Sequence, residues 1–244
     1  MIDKQSAIPL YVQLKRLIEE QVAHGALAPH SRIPSERELS EQFEISRMTA
    51  RRALTELTRE GLIYTSAGKG TFVAEPKINQ SLQALTSFTE DMRVRGMKPS
   101  TRLIRCELIA APELVASKLR VPLATSVLCV ERLRLADGEA MALEAAHFAF
   151  VGMERMLTID LAGSLYALLQ DEFGLTPAEA IQEFEARLAT HRECLLLQLS
   201  DGMPVLKLER TTFDAEQRPF EYVQSVYRSD RYRFVARLVR EGAR

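Results

Sequence analysis

The chain contains few residues of the types that most often hold metals or form disulfides. Among its 244 residues there are three cysteines and four histidines. The cysteines (Cys106, Cys129 and Cys194) are far apart and show no C-x-x-C spacing, and the histidines form no H-x-x-x-H pair. An odd number of scattered cysteines is typical of reduced thiols in a cytosolic protein. The sequence therefore predicts no disulfide framework, no metal site and no cofactor.

Long apolar runs are also missing. No segment approaches the roughly 18 apolar residues that a membrane-spanning helix needs. The first residues, "MIDKQSAIPLYVQLKRL", have neither the apolar core nor the small-residue cleavage site of a secretory signal. We therefore expect no membrane association and a cytoplasmic location.

The chain has no excess of charge of either sign. It carries 32 Lys and Arg residues against 33 Asp and Glu residues, so its net charge gives no reason to expect a nucleic-acid partner. Such a partner has to be inferred from local charge patterning. The length, with 46% hydrophobic residues, suits one large domain or two modest ones.

The first 75 residues repeat apolar side chains at helical spacing. A first helix is predicted between Pro9 and Gly25, because five apolar residues share one face: Leu10, Leu14, Leu17, Ile18 and Val22. A second begins in "PSERELSEQF", where Ser35 and Glu38 have capping-box spacing. A third follows Ser46, and "EGLIYTSAGKGTFVAEP" predicts a strand, a Gly-rich turn and a second strand. This order is expected of a winged helix-turn-helix.

The start of the third helix carries side chains suited to DNA recognition, namely Arg47, Thr49, Arg51 and Arg52. Arginine can donate two hydrogen bonds to guanine or to a phosphate, and threonine can bond a phosphate or touch a thymine methyl. In the predicted wing, Gly68 allows close approach of the backbone to a phosphate, and Lys69 adds a charge. Residues 47–70 hold five basic and two acidic side chains, so positive charge is concentrated there. The alternative is that these arginines only form a solvated helix face.

The string "PSERELSEQFEISRMTARRALTELTREGLIYTSAGKGTFV" resembles the DNA-binding domain of the GntR superfamily of bacterial transcription regulators. The resemblance covers residues 8–74. It implies that Arg37, Arg47 and Arg51 contact DNA, with Thr49 and Gly68 in support. Arg52 stands where many relatives carry glutamine, so the resemblance does not imply that this chain shares their operator preference.

From about residue 100 the pattern changes to the alternation of strands. Six strands are predicted: 101–110, 125–136, 140–149, 179–190, 204–214 and 219–228. Helices are expected near 87–95, 112–119, 164–173 and 192–199. The fold class is therefore α+β, with domain 1 at 1–74, a linker at 75–86, and at 87–244 a domain with a mostly antiparallel sheet and flanking helices.

Strand alternation in the second domain brings charged side chains to one face. Arg132 and Arg134 are two residues apart and project together, and the paired strand places Glu144 nearby. Glu221 and Tyr227 share parity on the last strand. Two helix starts add to the set: Ser87 with Glu90 in capping-box spacing, and Ser164 followed by Tyr166. Such a set suits a small ligand with a phosphate at one end and hydroxyls at the other. The alternative for the two arginines is an exposed strand edge with salt bridges.

The second domain resembles the ligand-sensing UTRA domain of the HutC subfamily, which has the chorismate-lyase-like fold, through "SFTEDM", "ERLRLADGEAMALE" and "PFEYVQSVYRSDRYRF". Within that subfamily, "LTSFTEDM", "RGMKPSTRL" and "SVYRSDRYRF" are similar to regulators of N-acetylglucosamine utilisation. Those sense glucosamine-6-phosphate or N-acetylglucosamine-6-phosphate. The resemblance implies a phosphate site at Ser87, Phe88, Thr89, Arg132, Arg134, Ser164 and Tyr166. It implies that the sugar meets Glu144, Glu221 and Tyr227.

Three functions remain open at this point. The favoured hypothesis is a homodimeric regulator, expected to be a repressor, that reads a palindromic operator and is released or re-oriented by a phosphosugar. An effector that is a different small anion is the nearest alternative. A lyase-like enzyme is less favoured, because a DNA-binding domain is fused to the fold and no nucleophile–His–acid set is visible. A purely architectural DNA-binding protein is the third hypothesis.

Overall fold

The computed structural model describes residues 2–66 and 68–238. The chain folds as two compact units, Met1–Lys77 and Ile78–Arg244, each with its own core.

The first unit is a winged helix-turn-helix, as predicted. Its elements are α1 (Leu10–Ala23), β1 (Arg32–Ile33), α2 (Glu36–Phe43), α3 (Arg47–Arg59), β2 (Ile63–Ser66) and β3 (Gly70–Val73). The three strands form an antiparallel sheet in the order β1-β3-β2. The sequence did not predict β1, because a two-residue strand has no period to detect.

Side-chain caps fix where the two helices of the motif begin. The Ser35 hydroxyl accepts from the Glu38 amide at 3.3 Å, and the Glu38 carboxylate accepts from the Ser35 amide at 2.6 Å. Ser46 caps α3 by accepting from the Thr49 amide at 3.1 Å. The buried stripe of α3 is the predicted one, Ala50, Ala53, Leu54 and Leu57. A capped start and a buried stripe together fix which face of α3 points to solvent.

The second unit contains the six predicted strands and four predicted helices. They are β5 (Pro99–Ala110), β6 (Ser126–Ala136), β7 (Glu139–Phe148), β8 (Glu179–Leu188), β9 (Pro204–Phe213), β10 (Pro219–Arg228), α4 (Phe88–Val94), α5 (Glu113–Leu119), α6 (Leu165–Phe173) and α7 (His191–Leu197). A 3₁₀ helix, Met153–Thr158, and two short strands, β4 (Ile78–Ser81) and β11 (Tyr232–Val235), were not predicted.

The large sheet consists of two three-stranded meanders placed side by side. Its order is β5-β6-β7-β10-β9-β8, and every neighbouring pair is antiparallel. The β6–β7 hairpin turns at Asp137 and Gly138, both with positive φ (50° and 84°), as a two-residue hairpin turn requires. The central contact of β7 with β10 joins the two meanders and brings distant residues into one row.

Helices cover both faces of this sheet. On one face α5 and α7 pack on apolar residues such as Val127 and Leu143. On the other face the 3₁₀ helix and α6 cover one end, around Leu128 and Phe148. At the opposite end of that face α4 packs with the short strands around Met92 and Tyr232. Between these two covered ends the sheet remains accessible.

The predicted linker, 75–86, contains a strand. β4 pairs in parallel with β11, with Ile78 opposite Tyr232, so this part of the linker belongs to the second unit. The sequence could not indicate it, because a four-residue strand whose partner lies more than 150 residues away gives no local signal. The predicted helix and strand limits elsewhere differ from the observed ones by two residues or fewer.

Candidate functional site

The exposed face of the helix-turn-helix carries the arginines that the sequence singled out. Arg47 is the first residue of α3 and is exposed. The Arg51 side chain is 66% exposed and lies 4.0 Å from a Glu36 oxygen. Arg37, on α2, is 67% exposed and 3.9 Å from a Glu41 oxygen. These long contacts restrain the side chains weakly, so all three guanidinium groups are available to a partner.

The remaining predicted residues of this face have different surroundings. The Thr49 hydroxyl is 2.8 Å from the hydroxyl of Ser46, so Thr49 supports the helix start. The Arg52 guanidinium lies over the ring of Tyr11, on α1. In the turn of the wing, Gly68 has φ +72° and nothing would meet a Cβ there, and Lys69 is exposed. The surface therefore presents positive charge on both the helix and the wing.

The second unit contains a cavity of about 300 Å³ on the accessible part of the large sheet. Its lining includes predicted effector residues from three elements of the sheet and from the starts of α4 and α6: Ser87, Phe88, Arg132, Arg134, Glu144, Ser164, Tyr166, Glu221 and Tyr227. The tenth predicted residue, Thr89, is buried behind them and contacts Arg134. The register explains this convergence, because Glu144 lies opposite both Arg132 and Ser225, and Ala142 lies opposite both Arg134 and Tyr227.

Arg132 uses its donors on the protein itself. It is 3% exposed, and its Nε and Nη2 both donate to one oxygen of Glu144. Its Nη1 donates to the carbonyl oxygens of Leu161 and Gly163, each at 3.2 Å. Arg132 therefore holds the segment that leads into α6 against the sheet, and it contributes charge rather than spare donors to the cavity.

Arg134 is buried without being fully satisfied. It is 2% exposed, its Nη2 donates to the Thr89 hydroxyl at 2.9 Å, and its guanidinium carbon lies 4.8 Å from the centre of the Phe88 ring. Its Nε has no hydrogen-bond partner. Burial, and then the neighbouring charge of Arg132, lower the pKa of Arg134 to about 10. A buried cation with an unused donor beside a second cation is a site that an anion would stabilise.

The two glutamates of the cavity differ in their electrostatics. Burial alone would raise the pKa of Glu144, but the guanidinium groups of Arg132 and Arg134 outweigh it and hold that pKa below its usual range. For Glu221 burial prevails and raises the pKa, although Thr212 and Arg210 oppose the shift. Glu144 is therefore a fixed anion within an ion pair, whereas Glu221 is a carboxylate whose charge is costly.

Arg210 is the main cavity residue that sequence reasoning missed. From β9 its Nε donates to the Gln182 side chain at 2.7 Å and its Nη1 donates to the Tyr166 hydroxyl at 3.2 Å. The Tyr166 hydroxyl in turn donates to Glu221 at 3.2 Å, and Thr212 donates to the same carboxylate oxygen at 2.6 Å. Strand alternation could have indicated it, because Leu208, Arg210 and Thr212 are two residues apart and therefore share one face of β9.

Two helix starts border the cavity. Ser87 and Glu90 form the predicted capping box, with the hydroxyl 3.2 Å from the Glu90 amide and the carboxylate 3.1 Å from the Ser87 amide. Ser164 caps α6 by accepting from the Ala167 amide at 3.3 Å. The next amides of each helix, such as those of Phe88 and Thr89, have no acceptor within the helix itself.

Aromatic rings close one side of the cavity. The ring of Tyr227 lies 4.8 Å from that of Tyr232 and 5.4 Å from that of Phe234, centre to centre. Burial raises the pKa of the Tyr227 hydroxyl, so this group stays protonated and can donate a hydrogen bond. A flat, partly apolar wall beside polar groups is typical of sugar-sized sites.

The described part of the chain contains neither a cluster of metal-binding side chains nor a helix able to span a membrane. Within residues 2–66 and 68–238, no group of three or more His, Cys, Asp or Glu side chains is placed to hold a metal ion. In the same part of the chain, no helix combines the length and apolar character that crossing a bilayer requires.

A helix-turn-helix face with exposed arginines, and a polar cavity in a separate unit, together define a DNA-binding regulator with an effector domain. Two family models match the chain in agreement with this: "Bacterial regulatory proteins, gntR family" over residues 10–73, and "UTRA domain" over residues 94–233. The chain therefore belongs to the GntR family of bacterial regulators, in its HutC-type branch with a UTRA domain. It is a DNA-binding transcriptional regulator of this family and not an enzyme.

Individual relatives are similar to this chain over nearly its full length. The chain is 43% identical over 234 residues to the HTH-type transcriptional repressor NagR of Bacillus subtilis (strain 168), covering 96% of each protein. It is 33% identical to the histidine utilization repressor of Pseudomonas putida, covering 94% of this chain and 92% of that one. Among solved structures, PhnF from Mycobacterium smegmatis matches with a TM-score of 0.65 and 30% identity, covering 95% of this chain and 99% of that one.

Proposed function

We propose that this regulator is a repressor of genes of amino-sugar utilisation, specifically of N-acetylglucosamine, and responds to a phosphosugar such as glucosamine-6-phosphate or N-acetylglucosamine-6-phosphate. It acts in the cytoplasm as a homodimer on a palindromic operator, because two winged units related by a twofold axis match two half-sites. The similarity to NagR supports the choice of regulated genes.

The observation that carries the effector proposal is the state of Arg134. Its buried guanidinium has an unused Nε donor, and its charge is opposed by that of Arg132. A phosphate would accept from the unused donor and offset the positive charge that Glu144 leaves uncompensated, and the amides at the start of α4 would add further donors. This combination favours an anion over a neutral ligand.

The other end of the cavity fits the hydroxyl and amine groups of a sugar. Glu221 receives both protein hydroxyl donors on one carboxylate oxygen. A carboxylate has two oxygens, so Glu221 can accept further hydrogen bonds from a ligand. Arg210 lines the cavity there and holds the Tyr166 hydroxyl beside Glu221, and the Tyr227 hydroxyl, further along β10, offers the cavity a donor. A cavity of about 300 Å³ accommodates one such monosaccharide phosphate.

A thermal-shift screen of sugar phosphates tests the effector class. We expect the two amino-sugar 6-phosphates to raise the unfolding midpoint more than glucose-6-phosphate, and free N-acetylglucosamine to have little effect, since ligand binding to the native state stabilises it. The screen should include organic anions without a sugar. Stabilisation by those alone would contradict the phosphosugar and favour a different anionic effector.

The response on DNA needs a separate measurement. Operator affinity, measured by fluorescence anisotropy with a palindromic duplex selected by the protein from a random pool, should change when the stabilising sugar phosphate is added. Tight binding of the phosphosugar with unchanged operator affinity would contradict its role as an effector.

A further inference from the structure

Arg52 has surroundings unlike those of the other arginines on the DNA-facing helix. Its guanidinium carbon lies 4.0 Å from the centre of the Tyr11 ring, and its Nη2 is 3.4 Å from the Tyr11 hydroxyl. Tyr11 is itself half-buried against the core of the first unit. The ring therefore supports the guanidinium from one side, and this cation–π contact restrains its position.

No protein carboxylate neutralises this guanidinium. Among residues 2–66 and 68–238, no Asp or Glu oxygen lies within 4.0 Å of Arg52, whereas Arg37 and Arg51 each have a glutamate at that limit. The nearest candidate along the helix is Glu56, one turn away, but its carboxylate is 2.5 Å from Arg59. Arg52 thus keeps its full charge and most of its donors.

The groove around Arg52 is open to solvent and borders the start of α3. It is lined by Pro9 and by residues of α1 and α3, among them Tyr11, Met48 and Thr49. Base edges are read by the residues at the start of a recognition helix, whereas flanking positions meet the sugar-phosphate backbone. Arg52, one position after Arg51 and turned towards α1, is such a flanking position.

From these contacts we propose that Arg52 binds a DNA backbone phosphate, and that Tyr11 is the positioning residue that fixes its guanidinium for this contact. The inference extends the recognition surface from α3 onto α1. It rests on the DNA binding of the chain and not on the identity of its effector. The contact carries no sequence information, because every base pair presents the same phosphates.

The salt dependence of binding tests the proposal. Each neutralised phosphate adds about 0.9 to the slope of log affinity against log salt. We expect Arg52→Gln to lower the magnitude of this slope by about 0.9 for each bound subunit, hence by about 1.8 for a homodimer on the palindromic duplex, and to weaken binding to that duplex and to an unrelated 30-bp duplex by the same factor. Arg102→Gln, which removes an exposed arginine from β5, should leave the slope unchanged and controls for net charge.

Two variants of Tyr11 test the positioning role. Tyr11→Leu removes the ring but keeps the arginine, and we expect it to weaken binding to both duplexes in parallel. Tyr11→Phe keeps the ring and loses only the 3.4 Å hydroxyl contact, so it should retain the wild-type slope. Thermal denaturation without DNA must show the same midpoint for each variant used, and Tyr11→Phe serves if Tyr11→Leu unfolds.

Three results would overturn the proposal. An unchanged salt slope for Arg52→Gln would exclude a phosphate contact. A loss confined to the palindromic duplex would make Arg52 a base-reading residue. Wild-type binding by a folded Tyr11→Leu protein, or a Tyr11→Phe slope as low as that of Arg52→Gln, would remove Tyr11 ring stacking as the positioning contact. Failure of Arg47→Ala to weaken binding is a separate outcome, because it concerns the base-reading assignment and not Arg52.

Discussion

Arg134 donates a hydrogen bond to the hydroxyl of Thr89, 2.9 Å away, although the two residues belong to different elements and are 45 positions apart. The bond joins β6 of the large sheet, near the end of that strand, to the first turn of α4. The same turn is tied to the short β4 strand, because Asp91 accepts from Gln80 at 2.6 Å and from Thr86 at 2.9 Å. An anion bound to Arg134 would therefore compete with Thr89, in the first turn of α4, for the donors of this guanidinium.

The first prediction concerns Arg134 itself. Arg134→Ala should abolish the thermal stabilisation by amino-sugar phosphates and the effector response on DNA, since the buried anion-binding donor is lost. Operator affinity without effector should stay at the wild-type value, because the winged unit is unchanged. Calorimetric titration and anisotropy measure the two properties, with Arg102→Ala as an exposed arginine control. Equal loss of effector binding and of effector-free DNA binding would contradict this division of roles.

A second prediction concerns the stability of the fold, on which the two cavity glutamates, Glu221 and Glu144, should have opposite effects. The pKa of Glu221 is raised by burial, so in the folded state it binds a proton more readily than in the unfolded chain. The ordinary pKa of a glutamate is about 4.3. As the pH rises from there through the raised folded pKa, Glu221 loses its proton, and the stability that the protonated form contributed is lost. Glu221→Gln should therefore raise the unfolding midpoint of the effector-free protein at neutral pH, and the gain should shrink towards acid pH.

Glu144→Gln should have the opposite effect. The arginine pair holds the pKa of Glu144 low, so its ionised form stabilises the fold above the ordinary pKa, and this stability is lost as the pH falls through the folded pKa. Removing the charge leaves Arg132 buried without its partner, at a cost of about 3 kcal/mol. Denaturant titrations of both variants across pH 4–8 compare the signs. A stabilised Glu144→Gln protein, or a destabilised Glu221→Gln protein, would refute the assignment.

A third prediction concerns Arg210. Arg210→Gln removes the donor that orients the Tyr166 hydroxyl towards Glu221, and a charge-assisted hydrogen bond contributes about 1.5 kcal/mol, so effector affinity should fall about tenfold. If Arg210 acts through Tyr166, then Tyr166→Phe and the double variant should weaken binding by a similar factor. Calorimetric titration with glucosamine-6-phosphate measures all three. Strictly additive losses would show that Arg210 acts independently of Tyr166.

The sequence predicted most of the fold because its signals are local. Caps at Ser35, Ser46, Ser87 and Ser164, and the turn at Asp137, are decided by neighbouring residues. Strand alternation likewise gave the shared face of Arg132 and Arg134. What it could not give depends on tertiary register: the pairing of β4 with β11, and the partners of each buried side chain.

In the cavity, too, the local sequence pattern predicts which residues lie together but not which partners each of them has. The sequence placed Arg132 and Arg134 together as equivalent anion ligands, but the structure separates their roles. Arg132 donates its hydrogen bonds to Glu144 and to two carbonyl oxygens, whereas Arg134 keeps an unused donor. Parity along one strand cannot distinguish them, because the difference arises from the segment before α6, which is about 30 residues away in sequence.

The last prediction addresses operator recognition by Arg47 and Arg51. Alanine at either position should cost about 1–3 kcal/mol of operator binding if a bidentate contact to a guanine is lost. Arg51→Lys separates the two types of contact, since lysine keeps the charge needed for a phosphate but not the planar fork needed for a guanine. We expect Arg51→Lys to bind the unrelated duplex as the wild type does and the palindromic duplex almost as weakly as Arg51→Ala. Retention of full operator affinity by Arg51→Lys would instead assign Arg51 to the phosphate backbone.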